Sequence, residues 1–175
     1  DPGRRKLADT PTLFREQLNP VTSIIIPVVS SENRNYIPMG YIDENTICTD
    51  RIKFIPEATT YHFGVLTSSI HMAWMRAVCG RLKSDYNYSK DIVYNNFPWP
   101  EVTDEQKVQV EQTAQAILDA RSLYPDCSLA DLYDNTTMPP ELRKAHQAND
   151  RAVLHIYGLS PTMNESEIVA ELMKR

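Results

Sequence analysis

Short apolar runs separated by polar turns dominate the first hundred residues, and this pattern predicts a mixed region of strands and helices. Residues 22–29 are β-branched and almost continuously apolar, as in a buried strand. Pro27 inside this run favours an edge position or a bulge, because proline cannot donate a ladder hydrogen bond. Further short strands are predicted over residues 36–42, 46–55 and 62–66.

A change of period predicts the first clear helix. From position 70 onward, apolar residues recur at helical spacing, and Ser68 or Ser69 can act as the N-cap. The helix is expected to end near Leu82. Residues 86–94 then favour extended chain.

The last 75 residues have the pattern of a helical region. Polar capping residues or prolines precede each apolar periodic stretch, at Thr103, Ser128, Pro139 and Asn164. We therefore expect an α+β fold. Residues 1–100 would form a mixed strand and helix domain, and residues 101–175 an all-helical domain.

Charge is distributed unevenly between these two parts. The chain of 175 residues has a net charge of −5. Residues 1–100 contain 11 lysines and arginines against 10 acidic residues, a net charge of +1, whereas residues 101–175 contain 7 against 13, a net charge of −6. An acidic second part is a poor partner for phosphates, so we expect the helices to brace the first part rather than to bind nucleic acid.

Catalytic and metal-binding patterns are missing from the sequence. The three cysteines are far apart, the four histidines lack H-x-x-x-H spacing, and no G-x-S-x-G, P-loop or H-E-x-x-H motif occurs. No apolar run approaches the roughly 20 residues that span a bilayer. We therefore expect a cytoplasmic chain with no catalytic residue, cofactor, metal or membrane contact of its own.

One polar row has the chemistry of base recognition. In extended chain, Lys83, Asp85 and Asn87 would share one face, and Tyr86 and Tyr88 would pack on the other. Lysine donates to guanine, aspartate accepts from the cytosine amine, and asparagine can bond adenine. The alternative is a solvated loop in which the lysine and the aspartate pair with each other, and the residue types alone favour that alternative.

Three longer segments resemble one family of enzymes. FGVLTSSIHMAWMR (63–76), GRLKSDYNYS (80–89) and VYNNFPWP (93–100) closely resemble the MmeI-like (type IIL) restriction–modification enzymes, as do residues 29–40, 132–134 and 138–146. In that family one polypeptide joins a nuclease, an adenine methyltransferase, a target-recognition domain and a C-terminal helical region. This chain is similar to the last two only.

The resemblance also implies cofactors and partners. The parent enzyme would use S-adenosylmethionine, and a divalent metal if a nuclease is fused. Its partners would be double-stranded DNA and the methyltransferase domain of the same polypeptide. The N-P-P-Y motif and the glycine-rich loop of such methyltransferases do not occur in this sequence, and residues 138–141 (MPPE) do not replace them. No cofactor is therefore expected in this part.

In the family, the positions that match Lys83 and Asp85 covary with the base pair at one end of the recognition site. A Lys/Asp pair implies a G·C pair, with lysine on guanine and aspartate on cytosine. Asn87, together with a position near Arg51, would read a neighbouring pair.

Three arginines, Arg34, Arg76 and Arg81, are expected to contact DNA phosphates, although each could equally be a surface or structural residue. The aromatic residues Trp74, Tyr94, Phe97 and Trp99 are interpreted as core and junction residues. The overall prediction is sequence-specific recognition of duplex DNA. A protein-interaction or scaffolding module is the alternative.

Overall fold

The computed structural model describes Ala8, residues 21–46 and residues 48–175. In these residues the strands are β1 (Ser23–Pro27), β2 (Val29–Ser30), β3 (Gly40–Ile42), β4 (Ile52–Pro56), β5 (Gly80–Leu82) and β6 (Asp85–Asn87). The α-helices are α1 (Thr60–Leu66), α2 (Ser69–Val78), α3 (Asp104–Ser122), α4 (Leu129–Leu132), α5 (Pro140–Ile156) and α6 (Glu165–Leu172), and a π-helical turn covers Lys90–Tyr94. The predicted α+β class is confirmed.

The first antiparallel sheet has the order β3-β1-β4. Strand β1 is central in this sheet, but Pro27 itself lies at a locally unpaired side, so of the predicted edge position or bulge the edge position holds for this residue and not for the whole strand. Pro27 is tolerated because β3 pairs only with residues 23–25 of β1, which leaves one side of the strand unpaired at its end. Opposite Pro27 lies Ile52 of β4.

The second antiparallel sheet has the order β2-β6-β5, and β5 and β6 form a hairpin. Val28 joins the two sheets. Its N–H donates to the carbonyl oxygen of Arg51 at 2.9 Å, and its own carbonyl accepts from the N–H of Tyr88 at 2.7 Å. The two backbone hydrogen bonds of Val28 therefore connect the chain that follows the hairpin to the first sheet.

Three predicted strands differ wholly or in part from the structure, and the extended chain predicted over residues 86–94 gives way to the π-helical turn at Lys90. Residues 62–66 belong to helix α1, because a short apolar run fits a buried helix as well as a strand. Thr59 and His62 form a capping box there, and a Cβ on Gly64 would lie 2.7 Å from Cγ1 of Val110 on α3. Within residues 36–42 only the last three form strand β3, and only the second half of 46–55 lies in a strand, β4. Ile47 lies outside the described residues.

The helical starts in the second part agree with the sequence. Thr103, Ser128 and Asn164 are N-caps, each in a capping box, and Pro140 is the first residue of α5. After α5 the chain leaves the helix through Gly158, whose φ of 67° lies in the left-handed region that favours glycine. No helix in the described part of the chain is long and apolar enough to cross a membrane.

Aromatic residues join the strands to the helices. Trp74 and Phe97 are buried, and the Trp74 Nε1–H donates to the carbonyl oxygen of Val93 at 2.9 Å. The ring of Phe97 makes edge contacts with His71 and Trp99, with centroid distances of 4.6 and 5.5 Å. Their interpretation as core and junction residues is confirmed.

Candidate functional site

The predicted base-reading row lies on the β5–β6 hairpin rather than on one extended strand. Helix α2 ends at Val78, short of the predicted Leu82, because the backbone of Cys79 is extended. The chain then turns back at Lys83 and Ser84. Lys83 has a φ of 57°, in the left-handed region, so the expectation that it alternates with Asp85 on one strand was wrong.

The register of the hairpin defines its two faces. Leu82 pairs with Asp85, and Gly80 pairs with Asn87, so these four side-chain positions share one face, which we call the outer face. Asp85 and Asn87 therefore do share a face, as predicted. Lys83 lies beside them at the tip, and its side chain is exposed.

The opposite face holds the hairpin in place. Tyr86 is only 5% exposed, and the guanidinium of Arg81 lies 4.2 Å from the centre of its ring. The Tyr86 hydroxyl accepts from Nε of Arg76 at 3.1 Å and donates to the carbonyl oxygen of Glu32 at 3.4 Å. The predicted packing of Tyr86 is confirmed.

The residue after the hairpin is anchored in the same way. The Tyr88 hydroxyl lies 3.0 Å from Nε2 of His71, and both side chains are buried. Burial lowers the pKa of His71 from its usual 6.5 to about 3, so its ring is neutral at ordinary pH. The base of the hairpin is thus rigidly positioned while its tip faces solvent.

Arg51 lies on the other side of the Val28 junction. The carbonyl oxygen of Arg51 accepts a hydrogen bond from the N–H of Val28. Val29, which follows Val28, pairs with Asn87 in the second sheet. The fold therefore brings the backbones of Arg51 and Asn87 to the same junction, although 35 residues separate them in sequence. The Arg51 side chain is exposed.

The three predicted phosphate-binding arginines differ in their surroundings. Arg76 forms an ion pair with Glu165 at 3.1 Å, and its Nη2 donates to the carbonyl oxygen of Arg34 at 3.2 Å, so its guanidinium connects parts of the protein. Arg81 donates to the carbonyl oxygen of Ser84 at 2.9 Å. Arg34 is half-buried, with Nη1 3.5 Å from Ser30 Oγ. The geometry favours a structural role for Arg76, and all three phosphate contacts stay predictions.

The solvated-loop alternative predicts an ion pair between the lysine and the aspartate. The ion pairs found within residues 21–46 and 48–175 do not include one between Lys83 and Asp85. The Lys83 side chain is exposed, and Asp85 is half-buried.

A buried polar network connects the strands to the helical part. Asp150 on α5 accepts from the Tyr36 hydroxyl at 2.6 Å and from the backbone N–H of Ser69, the first residue of α2, at 2.7 Å. Burial raises the pKa of Asp150. Beside it, the ring of Tyr36 stacks on His146 at 4.0 Å.

The network continues through His146. Its Nε2 lies 2.7 Å from the Tyr133 hydroxyl, which also accepts from Nε of Arg121 at 3.0 Å. The Nη1 of Arg121 donates to the carbonyl oxygen of Met39 at 2.7 Å. Burial lowers the pKa of His146 to about 3. These contacts hold the first part of the chain against the helices.

Sequence reasoning missed three residues at the hairpin: Gly80, Leu82 and His71. The two-residue turn at Lys83 and Ser84 contains neither glycine nor asparagine, which are the usual signals for such a turn. Without the turn, the pairing that places Gly80 and Leu82 on the outer face could not be inferred.

Comparisons with known proteins agree with this architecture. Residues 1–101 match the family "MmeI, target recognition domain", and residues 102–175 match "MmeI, C-terminal domain". The chain is 42% identical over 175 residues to DNA methyltransferase A of Bacillus subtilis (strain 168), a match that covers 99% of this chain and 20% of that protein.

A solved structure is also similar. The type IIL restriction–modification enzyme MmeI, determined in complex with DNA, superposes with a TM-score of 0.92 and 45% sequence identity. The match covers 97% of this chain and 23% of the MmeI chain. This chain therefore spans about a fifth to a quarter of the relatives that it matches.

Proposed function

The chain belongs to the MmeI family, and from that membership we propose that it recognises a specific sequence in double-stranded DNA by reading base edges in the major groove. The proposal depends above all on one observation. The β5–β6 hairpin presents an exposed Lys83 and a half-buried Asp85, which form no mutual ion pair, on a base fixed by Tyr86.

At its tip, where β2 no longer pairs with β6, the hairpin is a two-stranded ribbon, an element that fits the major groove of B-DNA. We propose that Lys83 donates to O6 and N7 of a guanine, and that Asp85 accepts from the amine of the paired cytosine. Asn87 and Arg51 would read a neighbouring base pair, because they flank the same junction at Val28. Contacts to phosphates, including those from Arg34 and Arg81, would set the register without reading sequence.

The helical part would have a different role. Its net charge of −6 is unfavourable beside a phosphate backbone, and its buried polar contacts face the first part of the chain. We propose that residues 101–175 form a separate domain that fixes the orientation of the recognition domain and contacts the rest of the polypeptide.

Adenine methylation would be performed elsewhere in the polypeptide. S-adenosylmethionine sites in such enzymes need a glycine-rich loop, whereas each described glycine stands alone in the sequence, and a Cβ on Gly64 would clash with helix α3. These residues therefore do not fit the cofactor. Bound DNA would be positioned so that a methyltransferase domain can flip the target adenine out of the helix. A divalent metal would be needed only by a fused nuclease.

A charge reversal tests the base-reading pair. In the full natural polypeptide, Lys83→Glu alone places two acidic groups against one donor, so binding and methylation should fall at every sequence. Lys83→Glu combined with Asp85→Arg should restore activity with the base pair reversed to C·G. Each contact is expected to supply about 1–3 kcal/mol of discrimination. Sequencing of methylated sites measures the outcome.

The matched control reverses an exposed pair far from the hairpin, Glu171→Arg with Lys174→Glu, which form an ion pair at the end of the last helix. That variant should keep the original recognition site. If the double variant at Lys83 and Asp85 also keeps it, these residues do not read bases. A scaffolding module, the alternative function, would show no salt-dependent preference for any duplex sequence.

A further inference from the structure

An exposed apolar side chain lies directly beside the proposed base-reading residues. Leu82 is 49% exposed and pairs across the hairpin with Asp85, so both side chains lie on the outer face. In the described part of the recognition region, residues 21–46 and 48–101, the large hydrophobic residues exposed to this degree are Leu82 and Ile92.

Leu82 contributes little to folding the hairpin. The hairpin is held by the face on which Arg81 stacks over Tyr86, and the outer face points away from that contact. Leu82 also lies on β5, the edge strand of its sheet, where all three residues are exposed. Leu82 is therefore an apolar side chain that faces solvent on this edge, next to the half-buried Asp85.

The outer face also leaves room for another molecule to come close to the backbone at Gly80. Gly80 lies opposite Asn87, and no atom lies within 4 Å of the position that a Cβ on Gly80 would occupy. Its φ does not lie in the left-handed region, so the backbone does not require glycine there. The outer face therefore combines an open position at Gly80, an apolar side chain and two polar side chains, with Lys83 beside them at the tip.

We propose that Leu82 contacts the C5 methyl group of a thymine in the recognition site, next to the base pair that Lys83 and Asp85 read. This proposal rests on the proposed function. The thymine methyl is the apolar feature that base edges offer in the major groove, so it is the partner that matches an exposed leucine on a reading face. Leu82 is thus a specificity-determining residue that acts through apolar contact, beside residues that act through hydrogen bonds.

Single replacement of thymine by deoxyuridine removes only this methyl group. In binding assays with the full natural polypeptide and its own recognition duplex, each thymine near the G·C pair is replaced in turn. One position should weaken binding about fourfold, as expected for losing the burial of one methyl group. Leu82→Ala should weaken binding to the unmodified duplex and should show no further loss with deoxyuridine at that position.

Two further variants make the result specific. Leu123→Ala removes an equally large exposed side chain from the end of α3, and it should retain the full sensitivity to deoxyuridine. Leu82→Met keeps an apolar side chain and should retain most of the sensitivity to deoxyuridine. This variant shows whether a loss in Leu82→Ala comes from the missing apolar contact or from misfolding. Thermal unfolding of all three should match the original protein.

The proposal is overturned if no thymine position is sensitive, if the site has no thymine beside the G·C pair, or if the sensitivity persists in Leu82→Ala. These outcomes are distinct from failure of the proposed function. If the proposed function itself failed, the unaltered polypeptide would not prefer any duplex sequence at all.

Discussion

Polar side chains serve opposite purposes in the β5–β6 hairpin and in the helical part. At the hairpin, Lys83 is exposed and makes no ion pair with Asp85. On α5, Asn149 and His146 are completely buried, and Asn149 donates to the carbonyl oxygen of Gly64 at 2.8 Å. Burying a polar group is costly unless it is hydrogen-bonded, so the helical residues specify one arrangement of the fold.

The difference indicates how specificity can change while the fold is kept. Substitutions at the exposed tip remove no buried contact, so they should alter the sequence that is read and leave the free energy of unfolding almost unchanged. Substitutions in the buried network should lower the free energy of unfolding and leave the sequence that is read unchanged. Arg76 links the two regions, because its guanidinium contacts both Tyr86 and Glu165.

Acid should destabilise the fold through its two buried histidines, His71 at the base of the hairpin and His146 in the helical part, and this is the largest expected effect. The pKa values of His71 and His146 fall from 6.5 in the unfolded chain to about 3 in the folded protein. Between these values the unfolded state binds more protons, so stability is lost as pH falls below 6.5. Each histidine should cost about 1.4 kcal/mol per pH unit in that window. Urea denaturation at pH 7.5 and pH 5.5 measures the loss.

Two variants test whether this acid sensitivity comes from the buried histidines. His146→Gln should reduce the pH dependence of the unfolding free energy, whereas His155→Gln, on the exposed side of α5, should leave it unchanged. Equal pH dependence in all three proteins would contradict the assignment.

Asp150→Ala should destabilise the fold without changing its specificity. The substitution leaves the Tyr36 hydroxyl and the Ser69 N–H without their acceptor. Loss of such buried partners costs about 1–3 kcal/mol. Asp126→Ala, at an exposed position, is the control and should have little effect. A change in the methylated sequence for Asp150→Ala would show that the network takes part in reading.

The sequence predicted the helical part better than the hairpin, for a physical reason. Helix starts such as Thr103 and Asn164 are determined by local hydrogen bonds within four residues, which the sequence displays directly. The candidate site depends on longer contacts. The backbones of Asn87 and Arg51 come together at Val28 and Val29, which are distant from both in sequence, and Lys83 adopts a φ that its residue type disfavours.

The helix over residues 62–66 shows the same limit. Gly64 normally weakens a helix, but here it allows close packing against α3, a partner more than 40 residues away. The roles of Lys83 and Asp85 came from the family resemblance and from groove chemistry. They stay predictions until the charge reversal is made.

Gly80→Val should separate recognition from stability at the hairpin. The Cβ of the added side chain meets no protein atom within 4 Å and valine suits a strand, so the free energy of unfolding should change by less than about 0.5 kcal/mol. It would stand beside Asn87 on the outer face and obstruct a base there. The discrimination of about 1–3 kcal/mol supplied by Asn87 should be lost in competition binding with substituted duplexes. Unchanged discrimination would place DNA on another surface.

Lys83→Gly should give a small change in stability, in the direction opposite to most substitutions. A lysine at φ 57° is strained relative to glycine, although glycine also increases the entropy of the unfolded chain. The two effects leave a gain of about 0.5 kcal/mol in the free energy of unfolding. Glu57 has the same φ of 57° at the end of β4, so Glu57→Gly is a matched control with a similar gain. Urea denaturation should give the two variants a similar free energy of unfolding. Competition binding should show that only Lys83→Gly loses the preference for the G·C pair. If Lys83→Gly keeps that preference, the strained lysine does not serve recognition, and its conformation follows from the tightness of the turn alone.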